Sequence, residues 1–400
     1  MHRLIEIFIH HTKAACVVAT LALSMGACGG ADTKTGSNGT GVAPPVEEDL
    51  ASSGPITGLG GETVAGLGLQ AAAAQVVIDA NGNRSLNDLR LGMPAEVRGR
   101  IVGNANAATA TVINAQSLVS GPLLAIDVGS GRLTLPGVEV DVDSNTIFDG
   151  TGPLTALTPG RAVEVYALTR ANTSGAAPWL ATRVVASSRP ANEISLLGTV
   201  NAIGNGTITL GNLTVTNATA AVIGSPVSAS PAPPVIVSLN GTVRVIGTYS
   251  AATNSIVATS VVTGLTPQRL DNSVLALDGI VQSVTGPGQF RLLDTEVRSA
   301  AAANVQPGLR VRVRGPKRNG ILEANELTVQ PNGAPVEYML TGEITRVDSA
   351  GAIAVRGETV MTLGARLNNG SAADLVAGRR VRILVGVVAG NLVARDIAFL

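Results

Sequence analysis

Four hundred residues, 45% hydrophobic and 14% charged, are enough for several small cores, and 28 basic against 28 acidic side chains leave no net field to draw nucleic acid or an anionic surface. All three histidines fall within residues 1–11, and the only cysteines are Cys16 and Cys28. Everything beyond residue 28 therefore lacks imidazole for acid–base work or metal ligation, lacks a thiol nucleophile and has no disulfide.

The first element is an address. Arg3 and Lys13 precede an uncharged run from Ala14 to Ala27 that is too short to cross a bilayer as a helix, the pattern of a signal peptide over 1–27. Its end, Ser24-Met25-Gly26-Ala27-Cys28, resembles the lipobox of bacterial lipoproteins, with Met25 where that motif usually has Leu. The resemblance implies acylation, including palmitate, at Cys28, a lipid anchor in the membrane. Gly29 after the anchor, by the same resemblance, implies an outer-membrane lipoprotein facing the periplasm or the cell surface. Several acyl chains hold a protein durably where one does so only marginally. Residues 28–53, rich in Gly, Ser, Thr, Asn and Pro, read as a flexible tether with a reach of about 25–30 Å.

Self-similarity organises the rest. A glycine opens an apolar alternation at Gly121, Gly198, Gly279 and Gly342; an L-x-x-G-x-x-V-x-V phrase follows, as in Val305 to Val313; an Ala-led strand closes the unit, near Ala108, Ala181, Ala258, Ala324 and Ala394. Period-two alternation between Gly, Asn, Asp and Pro is the mark of strands and hairpins. Asn81-Gly82, Asn205-Gly206 and Asn319-Gly320 supply hairpin turns that need positive φ. The expectation is an all-β chain, a tandem array of about five small OB-like β-barrels, at 54–118, 119–190, 195–264, 275–330 and 336–400. The third is irregular because of the Pro-rich insertion from Ser225. A helix-compatible piece separates the third and fourth strands, as at Ser299 to Asn304, which is the order of an OB barrel. These repeats resemble domain of unknown function 5666, found in tandem in bacterial lipoproteins and secreted proteins. The residues that carry this are Gly279-Ile280-Val281-Gln282-Ser283-Val284, the L-x-x-G-x-x-V-x-V element and the A-T-x-[IV] close. The family brings no catalytic residues to transfer.

Candidate chemistry is sparse. Arg310, Arg312 and Arg314, with Lys317 and Arg318, put five cations within nine residues, and three of them share a strand face. This face is either an anion or partner stripe, arginine being a fork of donors, or a solvated strand surface. The position of Arg312 is Glu96 in unit 1, Glu164 in unit 2 and Arg382 in unit 5, and the net charge moves from 12 basic and 16 acidic residues over 28–274 to 14 and 11 over 275–400. Glu139, Asp141 and Asp143 alternate on one strand. Asp141-x-Asp143-x-Asn145 starts like a calcium loop, but Thr146 and Gly152 stand where Gly and Glu belong, so no metal is expected. Few aromatics and a body of 26 basic and 27 acidic residues exclude nucleic acid. The sequence thus predicts a non-enzymatic scaffold or binding module of the cell envelope, without cofactor, whose partner is a protein or polysaccharide. The alternatives are a polysaccharide hydrolase built on paired carboxylates such as Asp141 and Asp143, and a passive spacer.

Overall fold

Alternating apolar residues and positive-φ turns do produce strands throughout. The computed structural model describes residues 47–400, apart from 104, 172–176, 191, 218–221, 227–235, 266–268, 332 and 349–350. Every regular element among the described residues is a strand or a single 3-10 turn. The signal peptide, Cys28, most of the tether and most of the Pro-rich insertion lie outside the described residues.

Unit 5 shows how one repeat closes. Its first strand, Tyr338–Asp348, pairs antiparallel with Ala352–Val355, which pairs antiparallel with Glu358–Met361. Arg356 and Gly357, both at positive φ, form the two-residue turn between the latter two strands. The third strand runs parallel to the last, Asn391–Phe399, which pairs with the fourth, Arg380–Val388, and the fourth returns to the first. The circuit 1-2-3-5-4-1 has no open end, and it recurs in units 1 to 4. This is the closure of an OB barrel. The helix-compatible segments of units 1, 2, 4 and 5 are single 3-10 turns at Leu86–Asp88, Leu154–Ala156, Ala302–Asn304 and Ala372–Asp374.

A bulge recurs at the middle of the fourth strand, where the register to the last strand slips at Arg98/Gly99, Tyr166/Ala167, Ile246/Gly247 and Leu384/Val385. In three units glycine makes the close approach possible: a Cβ on Gly99, Gly247 or Gly315 would stand 2.0, 2.2 or 2.0 Å from a carbonyl oxygen of the last strand. Such bulges bend the strand and tighten its twist, which a small barrel requires.

The barrels are tandem in sequence but joined in space. Leu50–Ser53 of the first strand of unit 1, Glu47–Leu59, pair in parallel with Val274–Leu277, the start of the first strand of unit 4. The parallel register sets Ala51, on the outside of barrel 1, beside Leu275 in the core of barrel 4, and sets Ala276, outside barrel 4, beside Ser52. Each barrel thus extends the other's core. Farther along the same strand, Gly58 and Leu59 pair with Met339 and Leu340 of unit 5. Ser195 and Leu196 of unit 3 pair antiparallel with Ser120 and Val119 of unit 2. Units 2 and 3 share one hydrophobic core, and the cores of units 1 and 5 run together. One boundary is corrected: residues 47–53 belong to a strand paired on both edges, not to the tether, and Leu50 to Ser53 are buried.

Candidate functional site

In each unit the first and fourth strands present an outer face, away from the barrel's own core. Cross-strand register pairs the residue before the opening glycine with the fourth-strand charge: Ser53 with Glu96, Ser120 with Glu164, Leu197 with Arg244, Asp278 with Arg312 and Thr341 with Arg382. Burying any of these charges requires a partner. Neighbouring units supply several.

Arg244 of unit 3 is fully buried. It donates to Asp79 of unit 1 at 2.9 Å, to the Ser195 hydroxyl at 3.0 Å and to the Ser117 carbonyl at 2.6 Å. Asp79 also accepts the Ser117 amide and hydroxyl, at 2.7 and 2.8 Å. Glu96 of unit 1 accepts from Ser53 at 2.6 Å and from Arg269, between units 3 and 4, at 3.2 Å. Glu164 accepts the Tyr166 hydroxyl. Burial first, then the nearby Asp79, raise its pKa above the usual glutamate range.

The most enclosed pair was not evident from the sequence. Arg183, on the last strand of unit 2, Trp179–Ala186, donates to Glu358 of unit 5 at 3.0 and 3.1 Å, to the Leu91 carbonyl of unit 1 at 3.0 Å, and to Asp149. Glu358 in turn accepts the Leu91 amide at 2.8 Å. Burial alone would lower the Arg183 pKa, but Glu358 and then Asp149 outweigh it and raise it. Three units meet at this one ion pair. Its only trace in the sequence is a lone arginine ahead of valines at Thr182-Arg183-Val184-Val185.

The basic strand of unit 4 is largely occupied from within. Arg310–Arg318 forms the fourth strand, with Val311 and Val313 buried in the barrel. Arg310 forks onto Asp278 at 2.7 and 3.2 Å, and Arg312 reaches the same carboxylate at 3.3 Å. Burial lowers the Arg310 pKa, and Asp278 reverses that to a net rise. Arg314 pairs with Glu326 and donates to the Ala105 carbonyl of unit 1 at 2.8 Å. Lys317 reaches Asp271 at 3.2 Å and the Arg269 carbonyl at 2.6 Å. Arg318 ends the strand exposed.

The carboxylates considered for hydrolysis are similarly engaged. Asp141 is held by Arg132 at 2.7 Å, by Arg170 and by the Ala177 amide at 3.1 Å. Glu139 lies 3.6 Å from Arg132. Asp143 accepts the Asn145 amide at 2.9 Å, closing a local turn. Asn145 is bonded across to the 4–5 linker, donating to the Ala334 carbonyl at 3.1 Å and accepting the Val336 amide at 2.9 Å. Behind this turn lies a cavity of about 100 Å3 bordered by Asp143, Thr182, Arg310 and Tyr338. Burial pushes the Tyr338 hydroxyl up to about 12, so it stays protonated. The space suits a few waters and falls short of the roughly 300–1,000 Å3 of ligand pockets. Among the described residues no cluster of His, Cys, Asp and Glu could hold a metal ion.

Five closed circuits joined through charged outer faces define a tandem OB-barrel protein. Residues 120–184, most of unit 2, match the family model described as Domain of unknown function (DUF5666), the family the repeats resemble. No curated protein matches the chain.

Proposed function

We propose that the chain is a non-enzymatic scaffold or binding protein of the bacterial cell envelope, anchored in the outer membrane through lipid on Cys28. Its partners are envelope protein or polysaccharide, reached through the tether. The observation that carries this reading is the use made of the ionisable side chains. Arg183 with Glu358, and Arg244 with Asp79, join unit to unit instead of lining a cleft. Barrels joined by strand pairing and ion pairs present surfaces, which is what a scaffold needs. The anchor is tested by labelling cells with radioactive palmitate and separating their membranes. The native chain is expected to carry label in the outer membrane, and Cys28→Ser to lose both label and sedimentation with membranes. An unlabelled native chain overturns the anchor. Release of reducing sugar from envelope polysaccharide, abolished by Asp143→Asn, would overturn the non-enzymatic reading.

A further inference from the structure

The outer face that a neighbour covers in units 1 to 4 is covered only along one edge in unit 5, where Gly58 and Leu59 of unit 1 pair with Met339 and Leu340, and its fourth-strand side remains exposed. Three residues before the opening glycine the first strands carry Ala51, Leu118, Ser195 and Ala276, none more than 7% exposed, whereas the matching Met339 is 40% exposed. The matching fourth-strand ion is met by an opposite charge in unit 1, where Arg269 meets Glu96, in unit 3, where Asp79 meets Arg244, and in unit 4, where Asp278 meets Arg312. In unit 2, Glu164 stands close to both Asp79 and Arg244. Arg382 is instead exposed, as is Arg380 two residues earlier, and neither forms an ion pair among the described residues. One carboxylate, Glu343, lies across from Arg380 in the sheet. Arg379, held over the Phe399 ring at 5.7 Å, adds a third exposed cation at the edge.

We infer that the outer face of unit 5, Arg380 and Arg382 beside Met339 and Leu384, docks an acidic segment of a partner protein. Carboxylates of that segment take the place that Asp79 and Asp278 hold on the sister faces. The face favours polypeptide over acidic polysaccharide because its apolar part is Met339 and Leu384, aliphatic surface with no open ring for sugar stacking. In the sister units, moreover, the same position is covered by protein. This deepens the scaffold reading by giving its partner a chemistry, and it rests on that reading only for the existence of a partner.

The test uses the full-length chain purified in detergent and a fluorescein-labelled synthetic peptide of Asp and Glu interspersed with Val, followed by fluorescence anisotropy. The peptide is expected to bind at low salt and to weaken about tenfold when both arginines are replaced, Arg380→Ser with Arg382→Ser, since two exposed ion pairs are lost. It should weaken likewise at about 0.5 M salt, where screening shortens the reach of charge to under about 5 Å. Arg318→Ser should leave binding unchanged, and so should a Lys-for-acid peptide remain unbound. The double variant should keep the native urea midpoint, because both side chains are exposed. No binding, binding indifferent to the double substitution, or tighter binding of polygalacturonate at this face would overturn the inference. Such failure leaves the palmitate result intact, and failure of palmitate labelling leaves this binding result intact.

Discussion

Replacing Glu358 by Ala removes the carboxylate that faces Arg183 at 3.0 and 3.1 Å and the acceptor of the Leu91 amide at 2.8 Å. The two side chains are 1% and 2% exposed. At an effective dielectric of 20, charges about 3 Å apart attract by about 5 kcal/mol. Removing two ions from water costs several kcal/mol each, so the intact pair adds little net stability. The balance holds only while both partners are present. Without Glu358, the buried Arg183 keeps Asp149, which is 42% exposed, and the Leu91 carbonyl, while the Leu91 amide loses its acceptor. The expected loss is about 3–5 kcal/mol. That is a large share of the roughly 5–15 kcal/mol that holds a typical native state. Arg183→Met with Glu358→Met removes both charges and should recover most of the loss. Urea unfolding of the native chain, Arg183→Met, Glu358→Met and the variant that combines them, followed by circular dichroism, forms a double-mutant cycle, with Glu358→Ala measured beside it. A Glu358→Ala loss below about 1 kcal/mol, or a double variant as unstable as the two singles added together, refutes the reasoning.

Gly315→Ala would set a Cβ 2.0 Å from the Glu323 carbonyl oxygen, and it should lower stability by about 1–3 kcal/mol in urea unfolding; a neutral result contradicts the bulge argument. Asp278→Ala should cost about 1.5–3 kcal/mol, because it strips Arg310 of a charge-assisted pair with a carboxylate that is 2% exposed, while Arg312, 37% exposed, is left to solvent. An unchanged urea midpoint would mean that the basic strand is not held from within. Glu164 has a folded-state pKa raised by burial and then by Asp79, so the folded chain binds this proton more tightly than the unfolded one. Stability should therefore fall as pH rises from the ordinary glutamate range through the raised pKa, and Glu164→Gln should flatten that slope. Urea midpoints taken between about pH 4 and about pH 8 check it, and an unaltered slope contradicts it.

What the sequence disclosed was local. Val311 and Val313 alternate with arginines and point into the barrel, and Asn319 and Gly320 both adopt the positive φ their pairing promised. At Asn205-Gly206 only the glycine does, and the turn expected at Asn81-Gly82 falls two residues earlier, on Asp79 and Ala80, with Asn81–Arg84 a strand. The opening glycines, the closing alanines and the turn residues repeat because each barrel must solve the same closure. What stayed hidden depends on pairing between distant segments. Asp278 lies 34 residues before Arg312, and only the cross-strand register brings them together, so the basic strand read as open. Leu50 to Ser53 read as tether because the surrounding stretch is polar and rich in small residues. Strands on both sides satisfy its backbone and bury it. Arg183 and Arg244 gave no sign of depth, since their partners Glu358 and Asp79 belong to other units. A charge that recurs at one strand position while its sign changes from unit to unit was the available clue.

Amide hydrogen exchange at Leu91 bears most directly on the fusion of the barrels. Its acceptor is the side chain of Glu358, 267 residues away in another unit, not a strand of its own barrel. If the outer faces hold the units as one block, this amide exchanges only when the whole body unfolds, as slowly as the core amide of Val313. Exchange many orders of magnitude faster than Val313, at the pace of a local opening, would show that the barrels part from one another in the native state and would contradict the account.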